Sequence, residues 1–184
     1  MNAYLPPVAQ ALLACVFGYS CFVKLRGPAN FARFQITVGK LTGLTGTPLK
    51  AAVLALGLSE GATAVLLAVP STARAGFAAS IGLLVLFCAA VVRAVRRGVF
   101  AECGCFGARE SVLSYPILLR NGLLLAVSAA GLSTAPAPVP LPQALLAAAA
   151  GLAAGALFLR YCDTVSVAVL MKLFPPVETP ERRS

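Results

Sequence analysis

Charge is what this chain has least of: only 11% of its 184 residues are charged, and only six of them are acidic. A soluble domain usually carries about 25% charged residues, because its surface has to be solvated. The scarcity excludes a water-soluble globule. With 59% hydrophobic residues and a mean hydropathy of +0.89, intrinsic disorder, a collagen and a soluble disulfide scaffold are excluded too. Histidine is absent altogether, so a four-ligand zinc site would have to be built without imidazole. There is no internal repeat, and Glu60 alone interrupts the middle of a long apolar run. Transporters gather several polar residues at mid-membrane, often on broken helices and in repeats, so transport ranks last among the function classes. An integral membrane protein is what remains. The net charge of +9 then reads as basic residues gathered on one face of a bilayer rather than as a nucleic-acid footprint.

A helix crossing the hydrocarbon core needs about 20 mostly apolar residues. Five segments qualify: Pro7 to Val23, Ala51 to Val69, Ala75 to about Val95, Tyr115 to Leu132, and Pro142 to about Leu159. The first has no charged segment before it and no small-residue cleavage site after it, so it reads as a retained span rather than a signal peptide. Pro-rich STAPAPVPLP separates the last two spans, since it cannot form a regular helix. Beyond Arg160, the run VSVAVLMKLF is too short to cross again and reads as a continuation or an interfacial helix, and PPVETPERRS as a disordered tail. The first loop, Lys24 to Lys50, sets Phe31, Phe34, Val38, Leu41 and, loosely, Ile36 among Arg33 and Lys40. That pattern predicts a short amphipathic helix on the membrane surface, acting as spacer and anchor or as a lid. The expected fold is therefore an all-α polytopic membrane helix bundle, with four core transmembrane helices, a fifth C-terminal one and a short amphipathic helix in loop 1–2.

Every basic residue except Arg74 lies in loop 1–2, loop 3–4, the tail or the span ends beside them. The positive-inside rule places those loops in the cytoplasm and the N-terminus outside. Disulfide chemistry would favour the opposite, extracytoplasmic side, where oxidation is maintained. The charge bias predicts a multi-pass protein of the cell (plasma) membrane with the Cys-Gly-Cys loop inside.

Loop 3–4 carries the most informative string, Cys103-Gly104-Cys105-Phe106-Gly107. Two cysteines one residue apart can close only a small, strained ring, and strain makes a disulfide easier to reduce. Gly104 and Gly107 permit the torsions such a ring demands. Arg96, Arg97 and Arg109 favour the thiolate, while Glu102 and Glu110 oppose it. A redox pair is the leading reading; inert thiols, or two soft ligands for Cu(I), are the alternatives. Cys15, Cys21, Cys88 and Cys162 lie in or at the ends of apolar spans and read as small hydrophobes. If a third thiol resolves a mixed disulfide, it is Cys21 or Cys162, which end their spans on the side of the Cys-Gly-Cys loop.

Glu60 lies near mid-bilayer, where an ionisable group must be paired, protonated or in a polar cavity. Arg120 enters its span from the Cys-Gly-Cys side, about 6 Å shallower by helix rise, and is the expected partner. A structural tie between spans 2 and 4 is the plain reading; a proton relay or a contact with a quinone head is the functional one, and Asn121 serves either. Gly151 and Gly155, four residues apart, form a close-packing motif in the fifth span.

With these features the chain resembles the MauE/DoxX group of redox-associated membrane proteins, and within it the MauE family. The residues that carry the likeness are Phe22 to Leu25 (FVKL), Glu60, Cys103 to Gly107 and Leu118 to Leu125 (LLRNGLLL), and it covers about residues 8 to 132. It divides the chain into a MauE-like four-span domain at 1–132, a connector at 133–142, the fifth span with its interfacial extension at 143–174 and a disordered tail at 175–184. The resemblance implies a lipid-embedded bundle acting with a thioredoxin-like partner in maturing methylamine dehydrogenase, whose small subunit is a further implied partner. No cofactor is firmly implied, with a quinone the one considered, and no metal. A DoxX-like assembly or anchor subunit without catalysis is the alternative. The layout also looks like the vitamin K epoxide reductase family, but that family's CxxC and second loop cysteine pair are both missing here, so no complete internal electron relay is implied.

Overall fold

The computed structural model describes residues 4–96, 114–134 and 140–173. Among them are six α-helices and one 3-10 turn, with no strand: α1 (Leu5–Leu25), α2 (Pro28–Thr42), α3 (Gly46–Ala68), the turn Pro70–Thr72, α4 (Ala73–Arg96), α5 (Ser114–Ser133) and α6 (Leu141–Leu173). Four segments are long and apolar enough to cross a membrane, Leu5–Leu25, Gly46–Ala68, Pro70–Arg93 and Pro142–Tyr161, and Ile117–Ser133 is a shorter apolar helix. The polytopic helical bundle expected from composition is the observed fold.

The connections follow from local chemistry. At the end of α1 the Arg26 N–H donates to the Phe22 carbonyl at 2.8 Å. Gly27 is extended, and Pro28 then opens α2, a position where its missing N–H costs nothing. Gly43 closes α2 at φ +76°, a left-handed cap that suits glycine.

Helices in lipid gain little from apolar burial against one another, so they associate through close packing. Small residues mark the contacts. Gly57 of α3 lies against Leu25 of α1, Gly61 against Cys21, and Gly18 of α1 against Ala64, which makes α1 and α3 antiparallel. On α6, a Cβ at Gly151 would stand 2.4 Å from the Val8 carbonyl oxygen, and one at Gly155 would stand 3.0 Å from Cys15 Cβ. The expected Gly151/Gly155 motif therefore packs α6 along α1, in parallel. Helices α4 and α5 join through a buried Ser80–Ser128 hydrogen bond of 2.9 Å and through Phe77 pressed on Gly131. The main apolar core runs between these helices and includes Leu13, Phe17, Leu67, Phe77, Leu84 and Leu124.

Leu25 meets α3 at Gly57, about 16 Å from the start of that helix at 1.5 Å per residue. The first turns of α3 thus reach past α1, and α2 folds back upon them. Its Phe34 and Val38 pack on Val53, with Leu49 and Leu56 alongside. The amphipathic helix is therefore present, but Ile36 points outward at 57% exposure beside exposed Arg33 and Lys40. Phe34, Thr37 and Val38 form its inner face, because the helical period brings Thr37, not Ile36, onto it. The stretch after Arg160 continues α6 without a break to Leu173, as one of the two expected readings had it.

Candidate functional site

Polar groups meet in the bundle where α1, α3 and α5 come together. Lys24 and Glu60 form an ion pair, with Lys24 Nζ on Glu60 Oε1, and both side chains are inaccessible to solvent. Ser20, one turn before Lys24 on the same face of α1, donates its hydroxyl to Glu60 Oε2 at 3.1 Å. The close approach of α1 and α3 at Gly57 and Gly61 is what allows this pair to form, since the two glycines flank Glu60 on the face turned to α1. The Lys24 ammonium also lies over two rings, 4.5 Å from the centroid of Phe34 on α2 and 5.0 Å from that of Phe87 on α4. Three helices, α2, α3 and α4, therefore contribute to holding one cation carried by α1.

Arg120 and Asn121 of α5 are both buried. Together with Ser20 and Glu60 they line one cavity of ≈ 50 Å³, whose walls are otherwise apolar and include Phe17, Leu84, Phe87 and Leu124. Asn121 also lies beside the Cys88 side chain of α4. Arg120 was the expected partner of Glu60; both line this cavity, and Glu60 forms its ion pair with Lys24. The partner that sequence missed is Lys24, which was placed in the loop and is instead a buried residue of α1, paired with Glu60. The signal was present, because Ser20 and Lys24 are four residues apart, hence on one helical face, and that face meets Glu60.

The quinone contact can be tested by size. An apolar cavity that takes up benzene is about 150 Å³, whereas this one is ≈ 50 Å³. It does not enclose a quinone ring. The described residues include no group of three or more His, Cys, Asp or Glu that could hold a metal.

The cysteines divide. Cys15 lies against Gly155 on the α1–α6 contact and Cys21 against Gly61 on the α1–α3 contact. Cys21 is within electrostatic reach of Glu60 and Lys24. Cys15, Cys21 and Cys88 are free thiols, each partly buried, in keeping with their reading as small apolar residues. Cys162 falls within α6, its side chain outside the described residues. Cys103 and Cys105 also lie outside the described residues, in the connection between α4 and α5.

A family model described as methylamine utilisation protein MauE matches residues 2–135. A relative from Paracoccus denitrificans, methylamine utilization protein MauE, is 35% identical over 157 residues, covering 82% of this chain and 81% of the relative. No solved structure matches the chain.

Proposed function

Because this chain belongs to the MauE family, we propose that it is a multi-pass component of the plasma membrane that supports methylamine utilisation by thiol–disulfide exchange through Cys103 and Cys105. The observation that carries this reading is the string Cys103-Gly104-Cys105-Phe106-Gly107 in the connection between two helices of a membrane bundle. Two thiols one residue apart, flanked by glycines and by Arg96, Arg97 and Arg109, have the spacing of an easily exchanged pair and a cationic setting that favours the thiolate.

The exchange is a two-electron step. A thiolate of a partner dithiol attacks one sulfur of the Cys103–Cys105 disulfide, the S–S bond breaks, and a mixed disulfide forms as the other cysteine leaves as thiolate. The partner's second thiol, after losing its proton, attacks the mixed bond. Cys103 and Cys105 are then both reduced, and the partner holds the disulfide. The same steps run backwards when the partner is the stronger oxidant. A thioredoxin-like protein with its own pair of cysteines supplies the required dithiol, and methylamine dehydrogenase, with its small subunit, is the client whose maturation this exchange supports. If a third thiol of the chain resolves the adduct, it is Cys21 or Cys162, so the trapping variants below also carry Cys21→Ala and Cys162→Ala.

The reading is tested by trapping. In Cys103→Ser or Cys105→Ser expressed in cells, the remaining thiol lacks its resolving neighbour, so non-reducing gels should reveal a reductant-sensitive adduct whose partner carries two cysteines. A non-catalytic assembly subunit predicts no adduct in either variant and full pathway activity in the double variant. That result would overturn the proposal.

A further inference from the structure

An interfacial helix ordinarily turns its apolar face into the acyl chains. The apolar face of α2 is instead packed on protein, with Phe34 and Val38 against Val53 of α3. What α2 turns outward is a stripe of Arg33, Ile36 and Lys40, spaced three and four residues apart and so on one side of the helix. All three are exposed. The height of this stripe follows from the packing. Phe31 packs in one cluster with Leu56, and a Cβ at Gly39 would stand 3.3 Å from the Leu49 side chain. Helix α2 therefore runs back along the first turns of α3 and brings Lys40 level with exposed Lys50. One and two turns below Lys50, α3 presents Leu54 and Leu58 bare. Cations give way to exposed leucine within two turns, as at the boundary between headgroups and acyl chains.

Charge complementarity names the occupant. Among the described residues, Arg33, Lys40 and Lys50 form no ion pair. Of the fifteen basic and six acidic residues in the chain, Lys24 pairs with Glu60, Arg120 is buried and Arg74 stands at the other end of the bundle. The five remaining acids cannot neutralise the twelve remaining bases, however they pair. We propose that the outer face of α2 is a docking surface for anionic phospholipid. Arg33 and Lys40 hold the headgroup phosphates, and Ile36 enters the acyl layer between them. Arginine suits the role because its guanidinium forks two hydrogen bonds onto a phosphate, and both long side chains can lay their stems on apolar surface while the charge reaches the headgroups. This inference is independent of the thiol exchange proposed above.

The full-length protein in a neutral detergent is titrated with phosphatidylglycerol or phosphatidylcholine of the same acyl chains while the unfolding midpoint is followed. A saturable rise is expected, half-complete at a several-fold lower mole fraction of phosphatidylglycerol, and added salt should shrink that preference. One basic residue near an anionic surface strengthens binding about fivefold. Arg33→Gln/Lys40→Gln should therefore raise half-saturation by phosphatidylglycerol at least tenfold and leave phosphatidylcholine unchanged. Ile36→Ser should weaken both lipids, and Arg74→Gln neither. Equal half-saturation by the two lipids in the wild-type protein, or an unchanged preference in the double variant, overturns the proposal. An equal rise with soluble glycerol phosphate also overturns it, since that marks a phosphate site without a lipid surface. Should the double variant fail to fold, a photoactivatable phosphatidylglycerol on the wild-type protein decides. Label on α2 supports the proposal, and label only elsewhere refutes it.

Discussion

Lys24 and Glu60 form a fully buried ion pair that joins α1 to α3, with Ser20 completing the shell of the carboxylate. Both charges are taken out of solvent, so the pair is an expensive feature of the fold to leave half made. A buried pair stabilises little against a well-packed apolar substitute, but breaking one side strands a charge.

Removing either partner should therefore cost about 3 kcal/mol, the scale of an uncompensated charge at mid-membrane. Glu60→Gln should be worse than Lys24→Met, because an isolated carboxylic acid can protonate, whereas Glu60→Gln leaves Lys24 and Arg120 as two cations together. The double variant Lys24→Met/Glu60→Gln should recover part of the loss. Unfolding midpoints in detergent check the order, and strictly additive effects would show that the pair is not coupled.

The glycine contacts give a graded series. Gly151→Ala should destabilise most, since its Cβ would lie 2.4 Å from the Val8 backbone oxygen, which can yield only if α1 and α6 separate. Gly155→Ala, at 3.0 Å from Cys15 Cβ, should cost less. Gly18→Ala, at 3.8 Å from Ala64 Cβ, should be neutral. Overpacking of this kind costs typically about 1–3 kcal/mol, readable as a lowered unfolding midpoint.

Phe34 serves two purposes, packing α2 on Val53 and covering the Lys24 ammonium. Phe34→Leu keeps most of the packing and removes the ring, so it should cost about 1–2 kcal/mol. The same change at Ile36, which is exposed, should have no measurable effect on the unfolding midpoint.

The charge asymmetry fixes an orientation to be measured. The exposed residues Arg26, Arg33, Lys40, Lys50, Arg93 and Arg96 sit at the connections and helix ends on one side of the bundle, and Arg74 on the other. In a variant lacking its native cysteines, Ser71→Cys should react with a membrane-impermeant reagent in intact cells, and Lys40→Cys only after permeabilisation. The reverse pattern would place the Cys-Gly-Cys connection outside.

Much of this architecture was legible beforehand. Apolar runs located the helices, and the Gly151/Gly155 spacing marked a close-packing face of α6, whose partner the structure shows to be α1. What stayed hidden depended on register between helices. The ends of apolar runs do not reveal that α3 overshoots α1, so Lys24 looked like a loop residue rather than the partner of Glu60. Gly57 and Gly61 have the same spacing as the α6 motif, and read as a packing face they would have turned Glu60 toward α1. Ile36 was misplaced because strict apolarity outweighed helical period, which puts Thr37 inward. Cys103 and Cys105 are read from sequence alone, since the connection that carries them lies outside the described residues.

The most direct test of the account counts thiols. Cells are quenched in acid, and free cysteines are alkylated before and after mild reduction, with Cys103 and Cys105 read individually by mass spectrometry. The account predicts a two-thiol change confined to these positions, absent in Cys103→Ser/Cys105→Ser, and shifting with the redox state of the cell. If both thiols remain reduced under every condition, thiol–disulfide exchange is contradicted.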